Sequence, residues 1–269
     1  MFNEIHIGPV TVYMYGIMMA IGYFTALRLC LSRGMKAGLS ADRIWGIFYC
    51  ALIGGLVGAK ALFLITQIRR IIEDPSILLD LQNGLVVYGG IIAGAVLSCV
   101  YVRAKGEKFL PYFDLVMPAV AIAQGFGRIG CFCAGCCYGK ETTSAIHVIF
   151  KNSAFAPNNV PLIPTQLISS AGDFLIGALL MSYAARKPRT GRVGALYLML
   201  YGAGRFAVEF FRGDVGRGSI GVFSTSQAIS LGAAAFGLIL FLAAGWHRDE
   251  QPEENVPEEV TDTQGEPSP

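Results

Sequence analysis

Charge and histidine are what this sequence has least of. Charged side chains make up 15% of its 269 residues, where soluble domains carry about a quarter, and there are only three histidines, His6, His147 and His247. So thin a polar coat excludes a water-soluble globular domain. With 54% hydrophobic residues and a mean hydropathy of +0.53, the chain reads as an integral membrane protein. Lysine and arginine are missing from the first twelve residues, so the basic start of a cleavable signal peptide is lacking and the first apolar stretch is expected to stay as a spanning helix. No internal repeat is visible, which weighs against transporters built from duplicated halves. Neither the histidines nor the cysteine spacing completes a familiar zinc pattern, so no metal and no cofactor is expected.

The scarce charge is unevenly spread. Residues 247–269 hold eight acids and one base, Arg248, leaving twenty bases against eleven acids in the other 246. The acidic, proline-containing tail has too little apolar content to fold and is expected to be disordered. A basic body suits anionic lipid head groups, although loop bases also orient any membrane protein. A membrane partner is expected and a nucleic-acid partner is not.

Seven apolar stretches are long enough to cross a bilayer, at about twenty residues each: 10–31, 44–66, 84–102, 112–132, 165–185, 193–211 and 223–246. The expected fold is an all-α integral membrane protein of seven transmembrane helices, a body over residues 1–246 followed by the tail. Alternate connections carry ten bases (Arg33, Lys36, Arg43, Arg103, Lys105, Lys108, Arg186, Lys187, Arg189, Arg192) and six (Arg69, Arg70, Lys140, Lys151, Arg212, Arg217). The positive-inside rule places the ten in the cytoplasm, hence the N-terminus outside and the C-terminus inside. Two outer connections, 67–83 and 133–164, are too long for simple turns. The first has a helix stop at Glu73-Asp74-Pro75 and an amphipathic run over 77–81; the second holds a β-prone stretch over 145–150. Loops with structure of their own are more often functional than idle, and a small head or lid over the outer mouth is expected.

Polar residues inside the spans point to the chemistry. Arg28 sits near a cytoplasmic end and can snorkel. Asp114 and Asp173 are read as lying near helix starts, where a carboxylate caps free N–H groups. Arg205 and Glu209 stand four apart on one helix face, behind Gly202 and Gly204. A buried ion pair gluing helices together explains that spacing as well as catalysis does. Arg128 breaks the tie, because an arginine at membrane depth usually faces a cavity with a partner. Two guanidiniums against one carboxylate leave about one positive charge, suited to a single phosphate held by planar forks. Tyr15 and Tyr88 add hydroxyls at outer ends of their spans, beside glycines, and Lys60 adds a further base; belt anchoring accounts for either tyrosine taken alone.

Cys30, Cys50 and Cys99 read as small buried apolar residues. The cluster Cys131-x-Cys133-x-x-Cys136-Cys137 leaves packing thiols, one or two disulfides, a thiolate metal site and a redox-sensitive site open, with a local structural role favoured.

Several blocks together resemble the bacterial prolipoprotein diacylglyceryl transferases. They are Ile7-Gly8-Pro9-Val10 with Tyr15-Gly16, Gly127-Arg128-Ile129-Gly130 with Tyr138-Gly139, Pro164-Thr165-Gln166-Leu167, and Tyr201-Gly202-Ala203-Gly204-Arg205 through Glu209-Phe210-Phe211-Arg212. The resemblance implies transfer of the diacylglyceryl group of phosphatidylglycerol to the lipobox cysteine of a prolipoprotein signal peptide, at the inner membrane. The products are a thioether and glycerol 1-phosphate. It implies phosphate binding by Arg128 and Arg205 with Lys60 and Gly139 nearby, Glu209 orienting Arg205, and Tyr15 holding the lipid head. The chain departs from the family pattern where Tyr88 replaces a histidine, Cys131 an asparagine, Cys136 an acid, Ile163 a histidine and Ser169 a glutamate. Tyr88 or the positive field is then left to activate the thiol. The competing reading is a non-catalytic or altered-acceptor relative that binds anionic phospholipid or lipoprotein precursor.

Overall fold

The computed structural model describes residues 4–7, 10–74, 84–214 and 218–246. The run at 77–81, Gly8 and Pro9, Arg217 and the tail 247–269 lie outside the described residues. Chain order is β1 (Glu4–Ile7), β2 (Val10–Tyr13), α1 (Met14–Lys36), α2 (Ala41–Thr66), α3 (Ile68–Glu73), α4 (Val87–Ala104), α5 (Phe109–Ala134), β3 (Val148–Ile149), β4 (Pro161–Leu162), α6 (Thr165–Ala184), α7 (Arg192–Glu209), β5 (Ser219–Ile220), β6 (Phe223–Ser224) and α8 (Thr225–Trp246).

Six of these helices, α1, α2, α4, α5, α6 and α8, are long and apolar enough to cross a membrane. The protein is thus mostly helical and of membrane type. The stretch 193–211 forms α7, which carries Arg192, Arg205 and Glu209 within eighteen residues and falls short of that apolarity. The described chain is not wholly α. Three two-stranded antiparallel ribbons interrupt it, and the first takes up residues the apolar count had assigned to α1, which begins at Met14 rather than at 10. The consecutive β-branched residues Val10, Thr11 and Val12 explain why this stretch pairs as a strand before the helix starts.

Lipid is the natural solvent for the outer surface. Phe24, Val57, Ile65, Ile92, Leu175 and Ile239 are all exposed on helices whose backbone hydrogen bonds are internally satisfied. Inside, small residues let the helices meet. A methyl group on Gly58 would lie 2.4 Å from the Gly89 carbonyl oxygen, so α2 and α4 touch backbone to backbone. Gly22 lies similarly against Ala123, joining α1 to α5. One buried cluster unites α1, α2, α4 and α5 around Cys30, Ile44, Val102 and Tyr112, and another unites α5, α6 and α7 around Ala121, Leu180 and Tyr197.

Polar contacts group the three basic connections at one end of the bundle. Arg43 Nε, in the first turn of α2, donates to Glu107 Oε1 at 2.8 Å in the α4–α5 turn. Asp114, near the start of α5, accepts from the backbone N–H groups of Gly191 (2.5 Å) and Gly194 (2.8 Å). It is a cap, as the sequence suggests, but of α7 rather than of its own helix. At the other end residues 135–164 gather over an apolar centre of Phe150, Ala156 and Leu162. The β-prone stretch contributes Val148–Ile149, paired to Pro161–Leu162.

Candidate active site

The site is assembled at the end of the bundle away from the basic turns, where α5 finishes. Gly135 adopts a left-handed conformation (φ 75°) that few other residues reach without strain, and it turns the chain back over the helix end. The Cys136 N–H then meets the Cys131 carbonyl at 3.1 Å. Cys137 is also left-handed, at φ 56°, unusual for a residue with a side chain. The start of α6 holds this turn in place. Thr165 Oγ1 donates to the Cys137 carbonyl (3.0 Å) and Gln166 Nε2 donates to the Cys136 carbonyl (2.8 Å).

The segment after α7 is stitched to the same loop by backbone alone. The Lys140 N–H donates to the Phe211 carbonyl (2.8 Å) and the Gly213 N–H to the Tyr138 carbonyl (3.0 Å). Gly139 is required here, since a Cβ would stand 2.3 Å from the Ile163 carbonyl oxygen. That stitching carries Arg212 inward.

Three guanidiniums therefore converge. Arg128, Arg205 and Arg212 line one cavity with Cys137, Thr165, Gln166, Ser169 and Val208; at about 10 Å³ it has room for roughly one water. Arg205 bonds Glu209 at 2.5 Å and also donates to Ser226 Oγ at 3.0 Å. Glu209 is buried, and its other oxygen accepts from Ser224 Oγ at 2.9 Å. Arg212 is held by Asp214, with Nε to Oδ1 at 2.9 Å, and stands 3.9 Å from Glu209. Arg128 forms no ion pair among the described residues. Asp173 acts on Arg128 and Arg205 through space. It lies mid-helix in α6 rather than at the helix start, is buried, and has no hydrogen-bond partner on Oδ2. A larger apolar opening of about 430 Å³, lined by Ile146, Ile163, Ile168, Ala207 and Phe211, adjoins the cavity at Val208.

The thiols lie beside the arginines. The sulfurs of Cys131, Cys136 and Cys137 are within 4.8 Å of one another, and all seven cysteines are free. Hydrogen bonds from the Cys131 and Cys136 thiols pull the Cys137 thiol down from its ordinary pKa, with Arg212 and Arg128 adding to the effect. Cys133 is not in the trio. Tyr15, in the first turn of α1, reaches the same place: a Cβ on Gly130 would be 3.1 Å from its ring, and its hydroxyl feels Cys131 and Arg128.

The structure thus brings together Arg128, Arg205, Glu209, Tyr15, Gly139 and three of the four clustered cysteines. Tyr88 and Lys60 are not among the residues that line the cavity. Tyr88 is in the first turn of α4, and Lys60 on α2 has its ammonium 5.0 Å from the Phe63 ring centre. Sequence reasoning gave no site role to Arg212 and Gln166, which it held only as a loop base and as members of matching blocks, or to Asp173, which it read as a cap. The Glu209-x-x-Arg212 spacing, one helical turn, was the available signal for Arg212.

A multi-helix membrane protein with convergent guanidiniums at one bundle end, opening beside an apolar recess, defines a class: membrane proteins built to handle an anionic lipid. Comparison with known proteins narrows it. A family model for prolipoprotein diacylglyceryl transferase matches residues 3–243, and the chain belongs to that family. It is 48% identical over 230 residues to a phosphatidylglycerol–prolipoprotein diacylglyceryl transferase of Clostridium tetani, covering 86% of this chain and 92% of that one. It is 42% identical over 231 residues to phosphatidylglycerol–prolipoprotein diacylglyceryl transferase 2 of Clostridium perfringens, covering 86% and 90%. A Vibrio atlanticus protein of the same name as the first matches at 27% over 260 residues, covering 93% and 94%.

Proposed function

We propose that this protein transfers the diacylglyceryl group from phosphatidylglycerol to the lipobox cysteine of a prolipoprotein, forming a thioether and releasing glycerol 1-phosphate. The observation that carries the reading is the cavity shared by Arg128, Arg205 and Arg212, in which Arg128 is left without an ion pair among the described residues. Attack at the glycerol carbon breaks its bond to a phosphate oxygen, and the electron pair leaves with the phosphate monoester. Guanidiniums already in place stabilise that developing charge without reorganising. Arg128 and Arg205 hold the phosphate, for which the water-sized cavity widens on binding, Glu209 keeps Arg205 oriented, Gly139 allows the loop to close in, and Tyr15 steadies the head group. The acyl chains run into the apolar recess beside Val208. The lipobox thiol, with an unperturbed pKa of about 8.5, is made more acidic by the same positive field.

In the membrane we place α7 as a seventh crossing, with Arg205 and Glu209 paired inside the bundle and Arg192 at its first residue. The end bearing the ten bases faces the cytoplasm, so the site, the N-terminus and a small head formed by residues 133–164 lie on the outer face, and the C-terminus lies inside. The body ends near residue 246, before the acidic tail.

The test uses purified full-length protein in nanodiscs of phosphatidylglycerol with a synthetic lipobox peptide. The expected product is peptide heavier by one diacylglyceryl group, with glycerol 1-phosphate released in equal amount. Peptide that binds but is never modified would establish the competing reading, a non-catalytic relative.

A further inference from the structure

We propose that Cys131, Cys136 and Cys137 form a three-thiolate site for a zinc-like d10 cation, whose open fourth position takes the lipobox thiol. The inference rests on the transferase reading for the identity of that fourth ligand.

The geometry carries the site. Tetrahedral zinc at about 2.3 Å from each sulfur sets the sulfurs about 3.8 Å apart, and these three already lie within 4.8 Å of one another, so sub-ångström shifts close the site. Their positions are constrained by the left-handed turn at Gly135 and by the bonds of Thr165 and Gln166 to the carbonyls of Cys137 and Cys136. Such outer contacts are what orient metal ligands. Only Cys137 of the three also lines the arginine cavity, which puts the trio directly beside the proposed phosphate site. On that wall Gln166, 1% exposed, has a side-chain oxygen without a partner. Three thiolates on a divalent cation carry one net negative charge, which Arg128 and Arg212 accommodate.

The chemistry matches the reaction. A thiol coordinated to zinc is deprotonated outright. The lipobox S–H proton departs to the phosphate, the bound sulfur attacks the glycerol carbon, and the C–O bond breaks toward the same phosphate. Thiol and phosphatidylglycerol become thioether and glycerol 1-phosphate with nothing left over. The metal supplies the deprotonation, and Tyr88, which does not line the cavity, is not required for it.

The experiment loads the reduced full-length protein in nanodiscs with Zn²⁺ alone, and separately with Co²⁺ alone. About one ion per chain is expected, with intense tetrahedral cobalt bands and sulfur-to-cobalt charge transfer. Cys131→Ser or Cys137→Ser should weaken zinc binding by more than the 10–100-fold typical of outer-contact changes, and Cys133→Ser should leave metal content unchanged. A lipobox peptide should shift the cobalt bands, whereas its serine analogue should not. Lipidation by protein shown to be metal-free, or a native disulfide within the trio, overturns the site and leaves the transferase reading standing. Cobalt bands that answer to the cysteine peptide without any lipidated product uphold the site and defeat the transferase reading. The cobalt spectrum of the unmodified protein keeps the test decisive where a serine variant does not fold.

Discussion

Among single residues, some charges hold the site together and others act on the substrate. Glu209 is buried and binds Arg205 and Ser224 at once. Glu209→Gln removes the anion from a buried pair, which costs about 3–5 kcal/mol; thermal unfolding in nanodiscs should show that loss together with a fall in transfer rate. Arg212→Gln leaves Asp214 and Glu209 short of a cation, so it should also lower the unfolding midpoint, and it should slow transfer by about 10²-fold, the effect of losing one preorganised donor, measured as product formed per enzyme. The Arg205–Glu209 pair was legible in the sequence because four-residue spacing puts both on one helix face. Arg212 was not, because its place depends on backbone bonds between two loops some seventy residues apart. Asp173 was misread because a carboxylate's distance from a helix start depends on where the helix begins. Residue 173 lies two turns beyond Thr165, too deep to cap anything.

Among elements, the helices follow from apolar length alone, and their pairing follows from where the glycines fall. The ends were less legible. Apolar runs do not distinguish a strand from the first turn of a helix, and the hairpin before α1 shows the consequence. Convergence of the three thiols was also hidden, since it depends on two successive left-handed turns that composition does not announce. Capping crosses between elements: Asp114 on α5 satisfies the first N–H groups of α7, the helix that carries Arg205 and Glu209. Asp114→Ala should cost about 1–2 kcal/mol with partial rescue by Asp114→Asn, read from the unfolding midpoint.

For the whole molecule, one end is tied by ion pairs and the other by backbone. Glu107, in the connection outside the spanning helices, accepts from the Tyr112 hydroxyl and from Arg43, and these hold its carboxyl below the ordinary range. A depressed folded pKa means the folded state favours the ionised form. Its contribution is therefore complete above the ordinary carboxylate pKa and is lost as pH falls through the folded value. Unfolding measured against pH should show an acid-side decline that is shallower in Glu107→Gln. At the opposite end, we propose, Arg128 and Arg205, from separate helices, grip one lipid phosphate. The most direct test is the transfer rate from phosphatidylglycerol to a lipobox peptide in folded Arg128→Ala and Arg205→Ala proteins. The account predicts that each falls by about 10²–10³-fold; undiminished turnover in either would contradict it.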